Sequence, residues 1–313
     1  MKIWIVLFCC VIFSTAVFAD KNVIFELKDA RNDDHGDGTL ILPTEKEYRP
    51  GDFDLLSLSA TPDEGGTLFK LEFAQTIDRP DTRAIDAGGK TLEAVARYGF
   101  YTFNIDIYID KDRKPGSGYT ATLPGRNASI DPEFAWEKVI CLTPRPAEAR
   151  GLLKKQLVKN LEAKLQAEKG RVDPEDSSKI SANASSDLEG SYYFPERVRV
   201  NSRIITFFVP GYFLGGSAEA NWGYVILETV STLEDKYALA DFGGAAYGTT
   251  FMNLPVAEGG WSDRLGTTRQ EVDYLPPIID MFVPSGKKQE DVLRNFNVNT
   301  QQRVVLPGIV PTP

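Results

Sequence analysis

Histidine occurs once in the 313 residues, at His35. A Ser-His-Asp hydrolase would have to take its base from there, and no Gly-x-Ser-x-Gly elbow accompanies it, which argues against that class of enzyme. Cysteine is almost as scarce. Of three, Cys9 and Cys10 fall in the first ten residues and leave Cys141 alone. An exported chain lacking that leader has no internal disulfide, and a chain of this length can bury enough core without one. Cys141, in "KVICLTP", reads as a small buried hydrophobe, because a reactive thiol wants a basic neighbourhood and a histidine partner. Basic stretches with interleaved aromatics are missing as well. Acidic residues outnumber basic ones 44 to 35, for a net charge of −9. Nucleic acid and anionic membrane surfaces are therefore poor partners, while neutral glycans or cations fit better.

Long apolar runs are also absent, apart from the first. Lys2, the run "IWIVLFCCVIFSTAVF" and the small residues Val17 and Ala19 read as a secretory signal peptide over 1–19, with export to the periplasm or outside the cell. Phe8 disfavours a lipidation site at Cys10. A retained anchor is the alternative, since the run is near the lower limit of about 17 residues for a span. No membrane span is expected in the chain that follows.

What is present is strand. "NVIFELKD", "DLLSLSATP", "TLFKLEFAQ", "FYTFNIDIYID", "EKVICLT", "RVRVNSRIITFFVP", "WGYVILETV" and "RVVLPGIV" alternate or are rich in β-branched and aromatic residues, and Gly, Pro, Asn and Asp clusters separate them. The pattern predicts an all-β fold, an antiparallel two-sheet β-sandwich, as one domain over 20–313. A hairpin is expected to turn at Asn201-Ser202. No repeat with a period of about 20 to 50 residues is visible. One inserted amphipathic helix is expected at 147–169, where Leu153, Leu157, Leu161 and Leu165 recur four apart between Pro146 and Gly170. The polar stretch "RVDPEDSSKISANASSDLEG" is expected to be a loop completing a 146–190 insertion. The leucine stripe either caps the sandwich or docks an envelope protein, and burial is the commoner fate of such a stripe.

The stretch "DARNDDHGDGTLILPT" crowds Asp29, Asp33, Asp34 and Asp37 into one turn. Ca²⁺ takes six to eight oxygens on a tightly turning backbone, and "DDHGDG" offers that chemistry. It is not an EF-hand, because counting from Asp33 places Thr44 at position twelve, where a bidentate Glu is needed. An ordinary solvated Asp-Gly turn is the alternative. Asp110 and Asp112 in "DKDRKPGSG" form a weaker second acidic place.

Read together, several blocks resemble the C-terminal module of glucodextranase, which is similar to DOMON-like sandwiches and family-nine carbohydrate-binding modules. The opening block comprises Asp29, Asp33-Asp34, Gly36, Gly38, Pro43-Thr44 and "PGDFDL". "NIDIYIDKDRKPGSGYTATLPGRNASIDPEFAWEKVI", "VPGYFLGGSAEANWGYVIL" and "PPIIDMFVPSGKKQEDVLRNFN" follow in the family's order. Asp37, Leu40 and Leu42 depart from the residues usual there, and the helix has no counterpart in that pattern. No catalytic domain is expected within these 313 residues.

The resemblance implies a non-catalytic module that binds a polysaccharide or cell-surface glycan. It also implies Ca²⁺, held by Asp33, Asp34 and Asp54 with Asp29 and Asp37. Haem is not expected, since the single His and the methionines Met252 and Met281 supply no ligand pair. Sugar binding needs exposed aromatic faces. Trp261, Trp222 and Tyr224 are the candidates, with Tyr212 and Tyr247 beside them. Trp261 is the strongest, burial is as compatible with Trp222 and Tyr224 as exposure, and Trp136 is expected in the core. The competing reading is a scaffold protein of the cell envelope that docks a partner through the helix.

Overall fold

All eight strand-like segments form strands, and their order builds a mainly-β molecule. The structure is a computed structural model that describes residues 23–84, 89–231, 253–261 and 264–311. The predicted signal peptide lies outside them.

In chain order the first strands are β1 (Phe25–Lys28), β2 (Leu40–Ile41), β3 (Leu55–Asp63) and β4 (Gly66–Phe73). A short helix α1 (Leu92–Val95) precedes β5 (Phe103–Asp110), β6 (Ala128–Ile130) and β7 (Lys138–Leu142). Two long helices follow, α2 (Pro146–Lys169) and α3 (Pro174–Ser191). Then come β8 (Tyr192–Tyr193), β9 (Val198–Asn201), β10 (Ile204–Pro210), α4 (Gly211–Leu214) and β11 (Gly223–Val230). The last elements are β12 (Val256–Glu258), β13 (Leu265–Thr267), β14 (Ile278–Met281), α5 (Gln289–Leu293) and β15 (Val304–Leu306).

Two five-stranded sheets dominate. The first runs β1-β3-β4-β10-β9 and is antiparallel throughout. The second runs β14-β11-β5-β7-β8 and is antiparallel except at β7–β8. Both feed one apolar cluster, with Phe69, Leu71 and Phe207 from the first sheet and Ile105, Ile107 and Ile226 from the second. Two smaller sheets, β12-β13-β2 and β15-β6, contain parallel pairs, so the described residues hold more than the two antiparallel sheets the sequence suggested.

The second sheet is covered on both faces. Along β7, Ile140 and Leu142 face the shared cluster while Val139 and Cys141 join a separate one on the outer side. That outer cluster includes Trp136, Leu153, Leu188 and Leu306. Every residue of β5 and β11 is consequently buried, including the acids within them.

Helix α3 replaces the expected loop. Its composition is poor for a helix, but Pro174 stands at its start, Glu175 and Asp176 occupy the first turn, and Ile180, Ala184 and Leu188 recur four apart and are buried. Tertiary contact with α2 overrides the weak propensity of its serines and of Asn183. The two helices pack as a hairpin, turning after Gly170 in the left-handed region (φ 74°). Leu153 is buried, and Leu152 and Leu157 pack on the same outer cluster, so the leucine stripe is a buried or half-buried face. The β9–β10 turn lies one residue later than expected. Asn201 pairs with Ile204, leaving Ser202 and Arg203 as the loop, and Ser202 takes the positive φ of 56°.

Candidate cation site

β1 and β14 are edge strands of the two large sheets, and the acidic turn sits where they meet. Asp29 follows β1, Asp33 and Asp34 lie in the turn, and Asp54 immediately precedes β3. Asp280 is on β14 and Glu228 on β11, register partners across the second sheet. The turn is pinned to β14 by its backbone, with Gly36 N–H donating to Ile279 O at 2.8 Å. Gly36 has φ 61°, and a Cβ there would meet the Ile278 carbonyl oxygen at 2.7 Å, so a side chain would push the turn off the strand. Gln289, buried at the start of α5, clasps the same turn: its Nε2 donates to Asp33 O at 2.6 Å and to Gly36 O at 3.2 Å, and its Oε1 accepts from Met281 N–H.

Oxygens of Asp33, Asp54 and Asp280 lie within 4.8 Å of one another. Some lone pairs in the cluster have partners. Asp54 Oδ2 accepts from Asn32 N–H (2.9 Å), Asp34 Oδ2 from Gly51 N–H (2.7 Å), and Asp280 Oδ2 from Leu55 N–H (2.8 Å). Others have none. Asp29 Oδ2, Asp33 Oδ1, Asp54 Oδ1 and both oxygens of Glu228 are buried without a hydrogen-bond partner. Burial drives the carboxyl of Asp29 up to about 8, with Asp33 and Asp54 adding repulsion. Asp33 is raised by burial and then by Asp54, and burial is also the leading cause for Asp34 and Asp54. Glu228 and Asp280, fully buried, are pushed well above the ordinary carboxyl range, first by desolvation and then by their acidic neighbours.

Buried carboxylates are ordinarily paired. Two such charges about 4 Å apart repel by roughly 4 kcal/mol at an effective dielectric of about 20. A cluster of all-oxygen donors with unpartnered lone pairs can hold a hard cation or must keep protons.

Among the residues the sequence singled out, Asp29, Asp33, Asp34 and Asp54 come together. Asp37 does not belong with them. Its Oδ1 accepts from Thr39 N–H and Oγ1–H (2.9 and 2.7 Å), and Arg269 faces its Oδ2 at 3.4 Å. It closes its own turn and an ion pair, which leaves it no free oxygen for the cluster. His35 Nε2 meets Glu290 Oε1 at 3.0 Å, outside the carboxylate group. Glu228, Asp280 and Gln289 were missed. The signal for the two acids was a lone acid inside an apolar strand, in "VILETV" and "PIIDMF". The second acidic place gathers Asp110, Asp112 and Glu137, but its carboxylates accept from Arg113, Lys114 N–H, Ser117 and Lys111 N–H. None of its oxygens is a buried orphan among the described residues.

The aromatic candidates divide. Trp261 is 49% exposed, with Nε1 donating to Glu258 O at 2.7 Å and Arg264 over its ring at 5.7 Å. Trp222 and Tyr224 are 4% and 0% exposed, so they cannot form an open platform with it. Tyr224 packs against Phe25 at 4.7 Å between ring centres, and its hydroxyl donates to Glu219 O. The reason is register: Tyr224 and Ile226 alternate into the shared core. Tyr212 is 85% exposed. Trp136 is buried, its Nε1 donating to Ala121 O at 2.9 Å, as expected of a core residue. Cys141 is buried too, with its thiol raised by burial, and Met281 is core. Tyr247 and Met252 lie outside the described residues. Among the described residues no helix is long and apolar enough to cross a membrane.

Residues 24–308 match the family described as the C-terminal binding module, SLH-like, of glucodextranase. A comparison with curated proteins found no match.

Proposed function

Because the chain belongs to the family of SLH-like C-terminal binding modules of glucodextranase, we propose that it is an exported, non-catalytic carbohydrate-binding module stabilised by Ca²⁺. The sandwich reading, DOMON-like in kind, is supported by the single apolar cluster that both large sheets share. The metal reading rests on the orphaned oxygens of Asp29, Asp33 and Asp54 beside Asp280. Asp33, Asp54 and Asp280 would hold the ion, with Asp29 and Asp34 beside them. The ion would supply the positive charge that lets these carboxylates stay ionised out of water. Export is supported by the leader-like composition of residues 1–19. Glycan binding is supported by the family and by the exposed ring of Trp261. The apolar side of α2 is taken up by the second sheet and α3, which favours a glycan over an envelope protein docked on that helix.

Calorimetry of the metal-stripped protein with and without Ca²⁺ tests the ion. Free Ca²⁺ at a hundredfold excess over its Kd should stabilise the native state by about 2.7 kcal/mol, and Asp54→Asn should abolish most of that gain. An unchanged melting curve on adding Ca²⁺ or chelator would show that the acidic cluster holds protons instead. A glycan array with purified protein tests the ligand. Retention of at least one polysaccharide without release of reducing sugar is expected.

A further inference from the structure

The opposite side of the molecule carries a different surface. β8 and β9 are the edge strands there, and the chain crosses between them through residues 194–197. A cavity of about 500 Å³ lies between this crossing, the segment around α1 and the start of α2. A second, of about 380 Å³, lies over the outer side of β9, β10 and β4. Both are lined by Tyr98 and Glu196, so they adjoin, and the two together are termed the groove. Tyr98 is half-buried, and Tyr193 neighbours both it and the exposed Tyr212.

The groove carries basic side chains, with Glu148 and Glu196 among them. Arg97 lines its first part, and Arg197 and Arg199 its second. All three are exposed. Among the described residues Arg97 donates to the Ala94 carbonyl at 3.5 Å, and Arg197 lies over the ring of Phe208 at 4.4 Å. None of the three has a carboxylate partner among the described residues, whereas Arg49, Arg113, Arg126 and Arg203 all do. A protein with net charge −9 thus leaves three guanidinium groups without a carboxylate partner among the described residues, along a groove lined by Tyr98. Guanidinium forks match carboxylates in two-point hydrogen bonds, and tyrosine faces take the CH side of a sugar ring.

We propose that this groove along the β8–β9 edge binds an acidic polysaccharide, one whose sugars carry carboxylate groups. The proposal rests on the carbohydrate-binding reading and adds a surface distinct from the exposed ring of Trp261, with its own ligand class. Sugar rings would lie on Tyr98, with Tyr193 and Tyr212 flanking, while Arg97, Arg197 and Arg199 take the carboxylates. A net-acidic protein meets a polyanion unfavourably overall, so the three arginines would select for carboxylates at this place alone.

Purified protein is passed at low salt over immobilised polygalacturonate and over immobilised dextran. Retention on polygalacturonate should exceed that on dextran. The triple variant Arg97→Gln, Arg197→Gln, Arg199→Gln should lose at least roughly tenfold of it with an unchanged melting curve, since the three side chains are exposed. Tyr98→Leu, checked for its melting temperature, should also weaken retention, because ion exchange alone ignores an aromatic face. Retention on dextran alone, untouched by the arginine changes, would overturn the groove while leaving the carbohydrate-binding reading intact. Equal binding to vesicles of phosphatidylglycerol, indifferent to Tyr98→Leu, would overturn it in favour of a charged membrane surface. Retention on neither matrix, and on no glycan of the array, would overturn both readings.

Discussion

Glu228 is the residue whose surroundings make the sharpest demand. It is fully buried, and neither carboxyl oxygen has a hydrogen-bond partner. Asp29 shares the predicament in part and titrates near 8 when the cluster lacks a cation. Its folded carboxyl then binds a proton that the unfolded carboxyl, with its ordinary value of 3.8, releases. Between about pH 4 and 8 the folded state therefore holds more protons, and raising the pH through that window removes stability. Chelator-treated protein should show a melting temperature that falls from pH 5 to pH 8, and saturating Ca²⁺ should flatten the fall. Thermal scans across that range with and without chelator check both. The tryptophans make a second contrast. Trp136 is buried on Tyr108 and Tyr192, and its replacement by Ala should cost about 3–5 kcal/mol in denaturant unfolding. Trp261→Ala should change stability by no more than about 0.5 kcal/mol while lowering glycan retention. Unfolding of the Trp261 variant would make that ring a structural one.

At the scale of elements, the helical hairpin depends on its turn and on a few apolar contacts. Gly170 holds φ 74°, and a Cβ there meets nothing within 4 Å, so the cost of Gly170→Ala is conformational alone. It should be about 1–2 kcal/mol, read from chemical denaturation. Leu188 joins the outer cluster of the second sheet from α3, and Leu188→Ala should cost about 2–5 kcal/mol. Substitutions at the exposed Lys155 or Lys159 should have little effect. The strands were legible because alternation survives in them: β1 reads buried-exposed-buried-exposed, as a half-buried strand must. α3 was not legible, because its serines, aspartates and Asn183 favour turns in isolation and only contact with α2 makes its sparse Ile180, Ala184 and Leu188 sufficient. β8, β12 and β13 are two or three residues long, too short to carry a period.

For the whole molecule, the two sides of the sheets carry different chemistry. The β1–β14 edge gathers carboxylates with orphaned oxygens, and the β8–β9 edge leaves arginines open beside tyrosines. If Ca²⁺ fills the first side as proposed, its removal should loosen that side without emptying the second. Retention on polygalacturonate in chelator should therefore persist at temperatures well below the melting point of the stripped protein, and its loss in that range would mean that ion and acidic ligand share one site.

The sequence by itself determined the strand content, the place of the main helix and the buried state of Cys141 and Trp136 through periodicity and composition, while its motifs in order carried the resemblance to the family and singled out four of the acids that converge. Only the tertiary structure decided that Asp37 turns to Arg269, that Trp222 and Tyr224 face inward, that Asp280 joins Asp33 and Asp54, and that Glu228 lies beside Asp280. Those outcomes depend on which strand lies beside which and in what register. β11 and β14 are about fifty residues apart in the chain yet adjacent in the sheet, and a shift of one residue would have turned Glu228 to the other face.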